Sequence, residues 1–118
     1  MTQFKYKGKK LFAEKNSLLN IARRNTTPFY LYSEKQIRVN YNKFYNIFSV
    51  IDPLICFSVK SNSNLSILKI LKKLGSGADV VSGGELLRVL KAGITPNKIS
   101  QNYVKKSDIM VVHCGRTC

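Results

Sequence analysis

The sequence predicts an α/β fold built on a parallel sheet, and three observations carry that prediction. Residues 54–59, "LICFSV", are continuously apolar rather than alternating, as in a strand covered on both faces. Two later segments, "NLSILKILKKL" and "LLRVLKA", repeat their apolar residues with the period of an amphipathic helix. Strand-like and helix-like segments alternate with short connections, and that order favours right-handed crossovers between parallel strands.

Residues 1–27 are polar and weakly patterned, with a short helix expected around Ser17–Arg24. Pro28 disfavours helix just before it and opens "FYLY", which reads as a short aromatic strand. Ser33 and Gln36 have capping-box spacing, and Ile37, Tyr41, Phe44 and Phe48 follow on one face, so a helix is predicted over about 34–48. Asp52 and Pro53 end that helix, and "LICFSV" follows as a buried strand.

After the polar turn "KSNSN", wheel geometry gathers Ile67, Leu68, Ile70, Leu71 and Leu74 in one sector and Ser66, Lys69, Lys72 and Lys73 in the other. The lysines form a solvated face. Gly75 stops the helix, and a strand runs through Val80 and Val81. Ser82 and Glu85 form a second capping box, with Gly83 and Gly84 expected to let the backbone turn tightly. Gly93 ends the next helix, and "TPNKI" leads to a further strand.

Composition bounds the function. With 118 residues and 44% hydrophobic residues, the chain is one globular domain at most. No apolar run approaches the roughly 18 residues of a membrane span, and "MTQFKYKGKK" lacks the apolar core of a signal peptide, so a cytoplasmic protein without a membrane partner is expected. Cys56, Cys114 and Cys118 are too few for a disulfide framework. His113, Cys114 and Cys118 fall short of a metal site, and no metal is expected.

A net charge of +14 is the electrostatic footprint of a nucleic-acid binder. The cations are scattered, however, with a cluster only at Lys5, Lys7, Lys9 and Lys10. The abundance of Lys, Asn and Ile is also what an A+T-rich genome yields through its codons. A basic nucleic-acid module is therefore the lesser alternative, and nucleic acid is not an expected partner.

Lys60 is the candidate functional residue. In a parallel α/β sheet or barrel, the carboxyl ends of the strands form the ligand face, and Lys60 stands at such an end. An amine held against an apolar strand is partly desolvated and more nucleophilic, as Schiff-base chemistry requires. A lysine leaving the core for water is the other reading of the same residues.

The stretch "FSVKSNSNLSILKILKKLGSGADVVSGGEL" resembles the start of the barrel in pyridoxal-phosphate enzymes related to alanine racemase, and among them the diaminopimelate decarboxylases. Two features carry the resemblance: the aromatic, small, Val, Lys, small, Asn motif around Lys60, and the Gly-rich "DVVSGGEL" that follows it in order. The continuation after Lys60 differs from the Ala-Tyr-Gly of alanine racemases and from the Cys of ornithine decarboxylases. Residues 28–99 carry the likeness.

That resemblance implies a fold: a partial (β/α)8 barrel of the alanine racemase type, first strands only. Residues 28–118 would be the incomplete start of a cofactor-binding barrel, and residues 1–27 a contribution to a β-domain. It implies an activity for the full-length protein, a carboxy-lyase converting meso-2,6-diaminopimelate to L-lysine and carbon dioxide in lysine biosynthesis. The cofactor would be pyridoxal 5'-phosphate, held by Lys60 as an internal aldimine. The partners would be a small-molecule amino acid and a second copy in a homodimer. A cofactor carrier without turnover, built on the same barrel, is the alternative.

The remaining positions carry two readings each. Asp79 matches an acid near the cofactor lysine in related decarboxylases and is the second cofactor-binding candidate; a strand-end Asp bonded to nearby backbone is the other account. Glu85 matches a further acid, yet the cap with Ser82 explains it without chemistry. Asn62 orients the loop after Lys60 or caps the next helix. Beyond Ile99 the sequence "SQNYVKKSDIMVVHCGRTC" departs from the family pattern, although Lys106 and Ser107 align with a Lys-Thr pair. The chain is expected to be a fragment or a frame-disrupted product that is inactive alone, with the residues that grip the phosphate and substrate lying beyond position 118.

Overall fold

A computed structural model describes residues 2–101. The chain forms two compact units, residues 1–40 and 41–118, and each is considered by itself. The expectations for Lys106, Ser107, His113, Cys114 and Cys118 lie outside the described residues.

The first unit holds an antiparallel sheet that the sequence patterning did not reveal. Strands β1 (Phe4–Lys7), β2 (Lys10–Ala13) and β3 (Asn16–Ser17) lie in that order, with Lys5 opposite Phe12, Lys7 opposite Lys10 and Phe12 opposite Ser17. The β1–β2 turn contains Gly8 at φ +58°, a left-handed conformation that glycine adopts without strain. The sheet was hidden because its strands are only two to four residues long, too short for the alternation of Phe4 and Tyr6 with Lys5 and Lys7 to be decisive. Helix α1 (Leu18–Arg23) falls where a short helix was expected.

"FYLY" is a correction. Residues 29–32 form no strand in the structure. Aromatic β-propensity is realised only where a neighbouring strand supplies a ladder, and here none does. Helix α2 (Glu34–Ile47) begins as predicted: the Gln36 N–H donates to Ser33 Oγ at 3.0 Å. Gln36 does not return the bond to the cap; its Oε1 accepts instead from the Gln3 N–H at 2.9 Å.

In the second unit the end of α2 carries stacked aromatics. Tyr41 and Tyr45 have ring centroids 6.4 Å apart at 12°, and Phe44 and Phe48 lie 5.1 Å apart. The predicted apolar face is only partly covered, with Phe44 52% and Phe48 41% exposed. The Tyr45 hydroxyl donates to Asp52 Oδ1 at 3.1 Å, and this bond to a carboxylate holds the phenol above its ordinary titration range. Burial, reinforced by Tyr45 and Cys56, raises Tyr41 as well.

Strands β4 (Cys56–Ser58), β5 (Gly77–Val80) and β6 (Ile99–Gln101) form a parallel sheet in sequence order. Helix α3 (Leu65–Lys73) connects the first pair and α4 (Gly83–Ala92) the second, which is the predicted strand–helix alternation. Val59, Leu68, Ala78, Val80, Leu86, Val89, Ala92, Ile94 and Ile99 make one buried cluster between sheet and helices. Ser66, Lys69, Lys72 and Lys73 are exposed, as the helical wheel required. Gly75 and Gly93 both take φ +89° at the helix ends.

Gly77 has a packing reason to be glycine. A Cβ there would collide with the Lys98 carbonyl oxygen and stand 2.7 Å from Cys56 Sγ. The buried Ser76 hydroxyl lies 2.9 Å from the Ile55 carbonyl oxygen and 2.7 Å from that of Gly77, so its proton serves backbone acceptors at the start of β4 and β5.

Candidate active site at the carboxyl ends of the parallel strands

The polar run after β4 has a structural logic that fixes the position of Lys60. Val59 is fully buried in the core, and Val59–Ser61 form a single 3₁₀ turn. The Ser61 hydroxyl donates to the Ser58 carbonyl at 2.7 Å, and the Asn62 N–H donates to the Val59 carbonyl at 3.0 Å. Asn62 Oδ1 then accepts from the Asn64 N–H at 3.0 Å, and Asn64 Oδ1 accepts from the Ser66 N–H at 2.8 Å. Asn64 is therefore the cap of α3 and Asn62 the residue that orders the loop, which separates the two roles the sequence left open.

Lys60, one residue past the buried Val59, is exposed. Among the described residues its Nζ has no hydrogen bond or ion pair. The turn carries the amine out past the strand end. The amine is presented at the carboxyl end of β4, where parallel sheets place their ligands.

Asp79 stands on the neighbouring strand. Ser58 pairs with Asp79 and Asp79 with Ser100, so the three form one row across the sheet. Strand alternation sets Cys56, Ser58, Gly77, Asp79 and Ser100 on the face opposite Phe57, Ala78, Val80 and Ile99. The face turned from the helices is thus small and polar, and Asp79 is half-buried in it. Ser58 and Ser100 were not singled out in the sequence, since the register that aligns them with Asp79 is not written in any local motif.

Glu85 is committed to capping. Its Oε2 accepts from the Val81 N–H at 2.9 Å while its own N–H donates to Ser82 Oγ at 3.3 Å. Gly83 and Gly84 are the first residues of α4, not a tight turn: neither has a positive φ, and a Cβ on either would meet nothing within 4 Å.

The sequence matches the family described as "pyridoxal-dependent decarboxylase, pyridoxal binding domain" over residues 34–115. The chain belongs to the pyridoxal-dependent decarboxylases. Within that family it is similar to the diaminopimelate decarboxylase of Pseudomonas fluorescens, at 47% identity over 107 residues, covering 91% of this chain and 26% of the relative. The solved diaminopimelate decarboxylase of M. jannaschii in complex with L-lysine superposes with a TM-score of 0.82 at 33% identity, covering 87% of this chain and 26% of that one. The Helicobacter pylori enzyme, also solved with L-lysine, gives a TM-score of 0.70 at 43% identity, covering 75% and 22%. The chain thus spans about a quarter of the length of these decarboxylases. It has the fold of the start of their alanine racemase-like barrel, preceded by the antiparallel sheet.

The residues present fit part of a pyridoxal phosphate site. A primary amine stands exposed at the carboxyl end of a parallel strand, and small residues leave the adjoining face open. A carboxylate lies one strand away. Among the described residues, no group of three His, Cys, Asp or Glu is placed to hold a metal ion, and no helix is long and apolar enough to cross a membrane.

Proposed function

We propose that this chain is the cofactor-attaching part of a carboxy-lyase that converts meso-2,6-diaminopimelate to L-lysine and carbon dioxide, with Lys60 as the attachment residue and Asp79 beside it. The observation that carries this reading is the placement of Lys60: an exposed amine on an ordered turn at the carboxyl end of β4, next to the Ser58–Asp79–Ser100 row. The identity to diaminopimelate decarboxylases, two of them solved with L-lysine, favours that substrate over other amino acids.

Bound pyridoxal phosphate supplies an electron sink for the pair left behind when the α-carboxylate departs. The protein's part is positional. Lys60 would hold the cofactor through its primary amine. Ser61, Asn62 and Asn64 fix the turn that aims it, through hydrogen bonds of 2.7–3.0 Å. Asp79 would offer a carboxylate on the sheet face it shares with Ser58 and Ser100. Residues 1–27 contribute to a β-domain and residues 28–118 begin the cofactor-binding barrel, as the family resemblance implies; the same resemblance supports a homodimer.

Borohydride reduction of the complete protein with its cofactor, followed by peptide mapping, should place the modified lysine at 60. Label on Lys69 or Lys91 would reject the assignment. Kinetics with diaminopimelate, ornithine and arginine side by side test the substrate: a higher kcat/KM for ornithine would reject diaminopimelate, and cofactor binding without release of carbon dioxide from any of the three would favour a carrier. Residues 1–118 alone should show no decarboxylation, because Lys60 is solvated and the aromatic side chains of Phe44 and Phe48 stand exposed.

A further inference from the structure

The first unit contains a cavity of about 660 Å³, bordered by β2, the turn after it and α1. Lys10, Lys15, Arg23 and Arg24 all line it, and no acid does. Phe12 gives it an apolar wall, and Asn20 adds an amide. The volume falls in the usual range for small-molecule sites, about 300–1,000 Å³.

Two features of the unit bear on this positive charge. The acid nearest in sequence, Glu14, is engaged elsewhere: its Oε1 accepts from the Ser33 hydroxyl at 2.6 Å and from the Lys35 N–H at 3.1 Å. Across the β1–β2 ladder Lys7 stands directly opposite Lys10, a like-charge pairing that destabilises a sheet. Lys7 Nζ also lies 5.2 Å from the centre of the Phe12 ring. A bound anion would offset the charge of the four cations that line the cavity.

We propose that this cavity binds a small oligophosphate, a ligand with two or more linked phosphates. Several cations converge on one concave volume, which suits closely spaced negative charges better than a single carboxylate. The guanidinium groups of Arg23 and Arg24 can each take two phosphate oxygens. This site lies within the first unit and does not depend on the decarboxylase reading.

The test is calorimetric titration of the complete, cofactor-loaded protein with inorganic triphosphate and, in parallel, with ATP. Saturable binding of one equivalent is expected, weakening with salt. The double variant K15Q/R24Q should bind about tenfold more weakly, with a salt slope shallower by about two. K69Q/K73Q, on the exposed face of α3, should bind like the parent. If the double variant fails to fold, the single variants K15Q and R24Q carry the same test, each with a smaller loss. ATP binding without triphosphate binding would mean the base rather than the phosphates is recognised, and would overturn the proposal. So would no saturable binding at millimolar probe, an equal loss in K69Q/K73Q, or a single-stranded oligonucleotide that binds more tightly than triphosphate.

Discussion

Ser58 and Asp79 are paired in register across the β4–β5 ladder, and Lys60 follows Ser58 by two residues. The register sets the Asp79 carboxylate beside Ser58, and the turn after β4 presents the amine of Lys60 at that strand end. If that carboxylate tunes the cofactor site, Asp79→Asn should lower kcat/KM by about tenfold or more while the melting temperature of the complete protein stays close to the parent's. Unchanged kinetics would leave Asp79 a backbone-bonding strand residue.

Gly77 should tolerate no side chain. Gly77→Ala forces a methyl group against the Lys98 carbonyl oxygen, just before β6, and against Cys56 Sγ on the paired strand β4. Overpacking of this kind costs about 1–3 kcal/mol. Denaturant melts of the complete protein should show that loss, and a stability equal to the parent's would mean that the sheet opens more readily than its packing indicates.

Ser82 and Glu85 are predicted to act on stability alone. Ser82→Ala removes the acceptor for the Glu85 N–H and should cost about 1 kcal/mol. Glu85→Ala releases the Val81 N–H and should behave similarly. Both variants, loaded with cofactor, should keep the parent kcat. A large fall in kcat for Glu85→Ala at full cofactor occupancy would assign the residue to the chemistry instead.

Glu14 gives the first unit an acid-sensitive tie. The Ser33 hydroxyl and then the Lys35 N–H stabilise its carboxylate and hold it below the ordinary value of 4.5. Because the folded value is lowered, the stabilisation is present above the unfolded pKa and is lost as pH falls through the folded one. Glu14→Gln should therefore be less stable than the parent near neutrality, and the difference should shrink below about pH 4.5. A gap between the two that persists undiminished into strong acid would contradict this account.

Legibility in the sequence followed the kind of information each feature needed. Helices α3 and α4 were readable because periodicity, caps and Gly stops agree: Ile67, Leu68 and Leu71 are buried and Ser66, Lys69, Lys72 and Lys73 exposed. The strand around Cys56–Ser58 was readable from its continuous apolarity. The β1–β2–β3 sheet was not, since strands of two to four residues are too short for their alternation to be decisive, and "FYLY" misled because propensity does not supply a partner. At the site, Lys60 was legible from its place after a buried strand and from the resemblance. The row Ser58–Asp79–Ser100 was not, because register is a tertiary property that no local spacing encodes.

The stacked Tyr41–Tyr45 pair has an optical consequence. The 118 residues contain six tyrosines and no tryptophan, so their near-ultraviolet emission comes from phenol rings without a stronger fluorophore to drain it. Tyr45, hydrogen-bonded to Asp52, has a proton acceptor against its hydroxyl, which dims a phenol, while coupling to the parallel Tyr41 ring gives the pair a dichroic band. Opening of the α2 end would brighten the one signal and erase the other, a label-free record of folding written into the chromophores the chain already carries.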